Sequence, residues 1–125
     1  MQDFRDLKVW QKAHEAVLQI YRATQSFPDT ERYGLTSQIR RAAVSVPANI
    51  AEGSVRSSDA DFARFLHIAI GSASEVDYYL LLARYLGHLP ATSYETADQQ
   101  LQEITRMLNG LLARLKRPDG LTAKS

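Results

Sequence analysis

The stretch LTSQIRRAAVSVPANIAEG, Leu35 to Gly53, decides the fold. At about 100° per residue, Leu35, Ile39, Ala42, Val46 and Ile50 line one arc of a helix, and Gln38, Arg41, Ser45, Asn49 and Glu52 occupy about 80° directly beside it. The apolar line must be buried against other helices. Polar side chains flanking such a line either satisfy one another internally or meet a partner. Pro47 lies inside the pattern and removes one backbone donor, so a kink or locally open turn is expected around Ala43 to Pro47. Gly53 supplies the stop, and Ser54-Val55-Arg56-Ser57 makes the connection onward.

Three further segments carry helical periodicity. Upstream, Leu7, Trp10, His14, Val17, Tyr21 and Thr24 follow a 3-4-3-4-3 spacing that ends at Phe27-Pro28-Asp29, which predicts a helix over about residues 5–26 followed by the second over about 31–52. Downstream, Ser58 with Asp61 resembles a capping box opening a third helix over about 58–87. Its two adjacent lines are Phe62, Leu66, Ala69, Ala73, Val76, Leu80, Ala83 and Phe65, Ile68, Ser72, Glu75, Tyr79, Leu82, Leu86. So wide an apolar arc is covered on more than one side. Thr92 with Glu95 reads as a second capping box, and Tyr94, Ala97, Leu101, Ile104, Leu108, Leu111 and Leu115 define a fourth helix over about 93–117. Arg117-Pro118-Asp119-Gly120 ends it and leaves a polar tail over 118–125. There is no strand signal and no internal repeat. Short connections favour antiparallel neighbours, so the expected architecture is all-α: one domain, residues 1–125, folded as an antiparallel up-down-up-down four-helix bundle with an irregularity at Pro47.

Bulk composition bounds the function. The chain has 125 residues, 45% of them hydrophobic and 23% charged, with no cysteine and a formal net charge of +1. Disulfides and thiolate metal sites are thereby excluded. The beginning of the sequence carries acid and no apolar core of a signal segment, and no run approaches the roughly 18 apolar residues of a membrane span, so a cytoplasmic protein with no membrane partner is expected. Near-neutral charge gives no global signal for nucleic acid, so any such binding depends on where the charges sit.

Nothing in the sequence assembles catalytic machinery. His14, His67 and His88 are dispersed, and no Glu-x-x-His pair is present to build the di-metal site that four-helix bundles can house. His14 falls on a line with Trp10 and Tyr21, where a hydrogen-bonded structural histidine is expected; His67 and His88 are read as surface or turn residues. No Ser-His-acid order, glycine-rich phosphate loop or cysteine nucleophile occurs. No catalytic residue, cofactor or metal ligand is assigned, and enzymatic activity is not expected.

The polar stripe and the charge distribution are the two candidate sites. Arg41, Ser45 and Asn49 are i,i+4 neighbours, and the third helix offers Ser72 and Glu75 on an otherwise apolar line. A carboxylate bracketed by Ile68, Tyr79 and Leu82 is costly to bury alone, so Glu75 is expected to meet Arg41, or else Arg40, with Ser45, Asn49 and Ser72 completing a buried polar network. Such a network either fixes helix register around Pro47 or opens into a groove or subunit contact. In an up-down-up-down bundle, one end gathers Arg5, Lys8, Lys12, Arg56, Arg64, Arg114, Lys116 and Arg117, diluted by acids such as Glu52 and Asp61. This end is either a nucleic-acid contact or simply a solvated face. The surplus apolar arc of the third helix, with Trp10, Tyr33, Tyr78, Tyr79, Tyr85 and Tyr94, argues for self-association, unless one bundle core absorbs both lines.

A family resemblance is carried by Phe4-Arg5-Asp6-Leu7-Lys8-Val9-Trp10-Gln11-Lys12-Ala13, Phe27-Pro28, Gln38-Ile39-Arg40-Arg41-Ala42, Ser45-Val46-Pro47-Ala48-Asn49-Ile50-Ala51-Glu52-Gly53 and Gly71-Ser72-Ala73-Ser74-Glu75. In this order they resemble the 23S rRNA intervening-sequence protein family of bacterial four-helix-bundle proteins. The resemblance implies a compact four-helix protomer assembling as a ring-like homopentamer. A related branch, the accessory protein of diversity-generating retroelements, binds nucleic acid and a reverse transcriptase; the present sequence is less basic than that branch. Two function classes follow: a non-enzymatic homo-oligomer contacting structured RNA or DNA through its basic end, and a protein-interaction adaptor that presents its surfaces to a protein partner.

Overall fold

The computed structural model describes residues 3–116, so Arg117 and the expected tail over 118–125 lie outside the described residues. The elements are α1 (Lys8–Thr24), α2 (Leu35–Ser54), α3 (Asp59–Tyr85) and α4 (Ala91–Lys116), with short 3-10 turns at Phe4–Asp6 and Asp29–Glu31 and no strand among the described residues.

Local chemistry sets the element boundaries. Asp3 accepts from the Arg5 amide at 2.9 Å and opens the first 3-10 turn. Leu7 then adopts an extended conformation, so α1 begins at Lys8 rather than near residue 5. The Asp29–Glu31 turn likewise delays α2 until Leu35, whose amide donates to the Glu31 carboxylate at 3.2 Å. Ser58 caps α3 as its sequence suggests, accepting from the Asp61 amide at 3.1 Å. The carboxylate of Asp61 turns instead to Arg64 Nε at 3.2 Å. Gly87, at φ +81°, ends α3 in a left-handed conformation. Its amide donates to the Arg84 carbonyl and the His88 amide to the Ala83 carbonyl, a Schellman closure that satisfies the helix's last acceptors. The Thr92–Glu95 capping box does not form. Pro90 supplies the carbonyl for the Tyr94 amide at 3.1 Å, placing Thr92 inside the first turn of α4.

Helix α2 continues through Pro47 as one element from Leu35 to Ser54. Proline has no N–H, so the hydrogen bond from residue 47 to the Ala43 carbonyl cannot form. Burial of Ala43, Val46, Pro47 and Ile50 holds this turn in place through side-chain packing.

All four helices contribute to one hydrophobic cluster. Helix α1 packs on α2 and α4, and α3 on the same two. Residue numbers fall along one helix as they rise along its neighbour: Lys12 meets Glu103 and Gln19 meets Gln100 across α1 and α4, while Ser45 meets Ser72 and Gly53 abuts Phe62 and Phe65 across α2 and α3. The apolar lines read from α2 and α4 and the first line of α3 face this core. The line read from α1 does so only in part: Thr24 is buried and Leu7, Trp10 and Val17 pack half-buried against the core, but the fully buried line lies one residue away. Val9, Ala13, Ala16, Ile20 and Thr24 are buried, whereas His14 and Tyr21 are exposed. The two lines lie one residue apart and have the same 3-4 spacing, so periodicity ranks the bulkier one first. Packing prefers Ala13 and Ala16, because small side chains let helix axes approach. His14 is therefore no core histidine; it stacks on Trp10 with centroids 4.9 Å apart and planes at 9°.

The tightest approach is at the α2 exit. A Cβ on Gly53 would lie 2.8 Å from Phe65 Cβ and 2.9 Å from Phe62 Cδ1. Gly71 and Gly110 sit inside helices with nothing within 4 Å of such an atom. Gly53→Ala is therefore expected to destabilise the protein by about 1–3 kcal/mol through overpacking. Gly71→Ala and Gly110→Ala should each stabilise it by about 0.5–1 kcal/mol through lower backbone entropy in the unfolded chain. Denaturant midpoints of the three variants check this opposition of sign.

Candidate functional site

The polar stripe of α2 is partly realised as a seam with α3. Ser45 Oγ and Ser72 Oγ lie 2.8 Å apart. Asn49 Nδ2 donates to the Ser45 carbonyl at 2.8 Å and to Ser45 Oγ at 2.9 Å. The three half-buried side chains satisfy one another in a row of neutral groups and link the two helices at mid-height.

The charged half of the expected network is not formed. Arg41 and Glu75 are both exposed, and no ion pair joins them. Glu75 accepts from the Tyr79 hydroxyl at 3.2 Å. The second line of α3 stays partly open, so Glu75 remains solvated and requires no buried counter-charge. Arg40 does not reach Glu75 either. Its Nε donates to Thr24 Oγ1 at 2.9 Å and its Nη2 to the Tyr21 carbonyl at 3.3 Å, tying the start of α2 to the end of α1.

A second polar cluster on the α3–α4 seam escaped sequence reasoning. The Tyr94 hydroxyl donates to Asp77 Oδ1 at 2.6 Å. Burial, reinforced by a hydrogen bond and charge repulsion from Asp98, raises the Asp77 carboxyl to about 6, with the Tyr94 bond acting in the opposite direction. The Tyr94 hydroxyl is itself pushed upward, first by burial and then by Asp77. The only sequence signal was the i,i+4 spacing of Tyr94 and Asp98; Asp77 lies 17 residues from Tyr94 and is brought there by helix pairing.

Half of the basic-end residues are already engaged by acids. Arg5 pairs with Asp3 at 2.9 Å, Lys12 with Glu103 at 3.3 Å, Arg64 with Asp61 at 3.2 Å, and Arg56 with Glu52. Exposed pairs of this kind contribute about 0–1 kcal/mol each and exchange readily. Lys8 and Arg114 both line a cleft of about 480 Å³ between α1 and α4, whose wall also includes Asp6 and Met107. Lys116 is exposed just beyond it. Arg117 lies outside the described residues.

No cluster of three or more metal-ligating side chains occurs among the described residues, and none of their helices is long and apolar enough to cross a membrane. His67 is exposed. His88 is half-buried instead of lying free in its turn: it packs against Phe27 and approaches the Glu31 carboxylate at 3.3 Å.

Four long helices around one aliphatic core, joined laterally by side-chain hydrogen bonds, define an all-α four-helix-bundle protein. The chain belongs to the 23S rRNA-intervening sequence protein family, whose model matches residues 5–110. Among solved structures, it is similar to a protein of unknown function from the S23 ribosomal protein family of Bacteroides thetaiotaomicron, with 28% identity, a TM-score of 0.75 and coverage of 83% of this chain and 97% of that one. No functionally curated protein matches the sequence.

Two measurements follow from this geometry. The raised Asp77 carboxyl means that the folded protein binds more protons than the unfolded chain between about pH 4 and pH 6. Stability contributed by its protonated form is present below its ordinary value of 3.8 and is lost as pH rises through about 6. Denaturant midpoints should therefore reveal a destabilising contribution with rising pH across this window, which Asp98→Asn makes smaller by removing the neighbouring carboxylate. For the seam, a double-mutant cycle of Ser45→Ala and Ser72→Ala should give a coupling of about 0.5–1.5 kcal/mol; additivity would mean that the hydroxyl contact adds no stability.

Proposed function

We propose that the protein is a non-enzymatic homo-oligomeric scaffold, pentameric as its family resemblance implies, whose basic bundle ends make a weak contact with structured RNA or DNA. The observation that carries the assembly is the second line of α3. It remains partly open in the protomer, with Ile68 42% and Leu86 52% exposed beside half-buried Phe65, Tyr79 and Leu82. Exposed apolar and aromatic side chains at helical spacing suit a protein–protein contact. The unpaired charges Arg41 and Glu75 border the same seam and would gain partners across such a contact.

Lys8 and Arg114 support the nucleic-acid reading. They are the two basic-end cations that share a cleft, and cyclic symmetry would repeat this weak site around a ring, raising avidity without any new contact. Belonging to a family named for 23S rRNA intervening sequences is consistent with an RNA partner. The ion pairs of Arg5, Lys12, Arg56 and Arg64 favour the second reading, a protein-interaction adaptor without nucleic-acid binding, because they reduce the charge available to phosphates.

Sedimentation should give a mass five-fold that of the 14.0 kDa chain, and Ile68→Glu with Leu86→Glu should shift it toward monomer. Binding of rRNA fragments should weaken with salt, and Lys8→Glu with Arg114→Glu should reduce the slope of log affinity against log salt by about two. Affinity unmoved by salt and by charge reversal selects the adaptor reading.

A further inference from the structure

We infer that the cleft beside Gln19 and Gln100, on the seam between α1 and α4, binds a small uncharged molecule of the amide class: an apolar body carrying one N–H donor next to one carbonyl acceptor. The cleft encloses about 230 Å³. An apolar cavity of roughly 150 Å³ accepts benzene, so a single small ring fits here. Small side chains keep the seam open at this height. Ala23 of α1 and Ala97 of α4 both line the cleft and are half-buried, and neither fills the space between the helices. Ile20, Leu80 and Leu89 close it on the core side, each no more than 5% exposed. The body of a ligand would rest chiefly against the two alanines.

The polar groups of the site already meet. Gln100 Nε2 donates to Gln19 Oε1 at 2.7 Å, joining two half-buried amides from opposite helices. One hydrogen bond between two carboxamides leaves an amide nitrogen and a carbonyl oxygen free, whichever way the pair is turned. Here these are Gln19 Nε2 and Gln100 Oε1, which bond to no other group among the described residues. A ligand that offers a carbonyl to the first and an N–H to the second completes both. Because the pair is tethered before the ligand arrives, little side-chain freedom is lost on binding.

The absence of charge on the walls sets the ligand class. None of the lining residues is ionisable, whereas the clefts beside Lys8 and Arg114, beside Asp77 and Arg106, and beside Arg32 and Arg40 all have charged walls. A charged group drawn in here would lose water and meet no counter-charge. A wholly apolar molecule would desolvate the amide pair without replacing its hydrogen bonds. Lactams and nucleobases are simple molecules that satisfy both conditions. The cleft lies on the far side of the Lys12–Glu103 pair from Lys8 and Arg114, so this assignment is independent of the nucleic-acid contact proposed above.

Isotope-labelled protein titrated with ε-caprolactam tests the site. Caprolactam should cause saturable shifts in backbone amides of residues 19–23 and 93–100. ε-Caprolactone keeps the ring and the carbonyl but lacks the N–H, and should bind about tenfold more weakly. The opened, zwitterionic 6-aminohexanoate should leave these amides unmoved. Gln19→Leu combined with Gln100→Leu should weaken caprolactam binding about tenfold. Replacing both partners by apolar groups of similar size leaves no unpaired amide, so the denaturant midpoint of this double variant should stay near that of the parent, and its lost binding cannot be ascribed to unfolding. Ala97→Leu, which fills the cleft, should abolish binding. A uridine dinucleotide separates the sources: its shifts would place a base of a nucleic acid in the cleft, and their absence alongside caprolactam binding assigns the site to a free small molecule. No saturable shift with caprolactam, equal binding of 6-aminohexanoate, or undiminished binding by the glutamine double variant overturns the assignment.

Discussion

The close approach of α2 and α3 is the constraint on which the rest of the structure depends. Gly53 lets the exit of α2 lie against Phe62 and Phe65 with no room for a methyl group. Farther along the same seam, Ser45 and Ser72 meet at hydrogen-bond distance. Small groups at both heights bring the helices together, and the aliphatic lines of α1 and α4 then complete the core around them. Close packing propagates this constraint, because an interior at crystal-like density transmits a shift in one helix pair to the others.

Polar groups in this bundle serve to join helices, and each seam uses different chemistry. The α2–α3 seam has neutral hydroxyls and an amide. The α3–α4 seam has the Asp77–Tyr94 bond with a neighbouring carboxylate. The α1–α2 corner has a guanidinium gripping a threonine and a backbone carbonyl, and α1–α4 is bridged by Gln19 and Gln100 at 2.7 Å. Neutral pairs carry little desolvation cost and hold register at any pH, whereas the Asp77 cluster makes one seam responsive to protons. The surface left over is uneven: half-exposed apolar side chains along α3, a cation pair between α1 and α4, and an unpartnered buried hydroxyl at the α1–α2 corner.

Much of this was legible in the sequence. Leu35, Ile39, Ala42, Val46 and Ile50 have spacing compatible with one helical face. Gly53 reads as the stop, yet the helix runs through it to Ser54, and the glycine is there for the close approach of Phe62 and Phe65. Ser58 caps α3 because a hydroxyl at the N-cap, in an extended conformation, lies within reach of the free amide three residues on. Arg41 and Glu75 were misplaced for a physical reason. Sequence spacing puts a charge on a face, yet whether that face is desolvated depends on what covers it, and the other helices leave it open. His14 and Tyr21 failed similarly: two lines of equal periodicity compete on α1, and the bulkier one is left at the edge, with Trp10 half-buried.

The sequence by itself determined the helices, their order and the family, because periodicity, caps and breakers act within a few residues of the chain. Tertiary structure alone decided which line of α1 faces inward, where Arg40 points, why the Asp77 carboxyl is raised, and that the Thr36 hydroxyl lacks a partner. Each of these depends on groups brought together from separate helices, whose distance and shared exclusion of water no local pattern records.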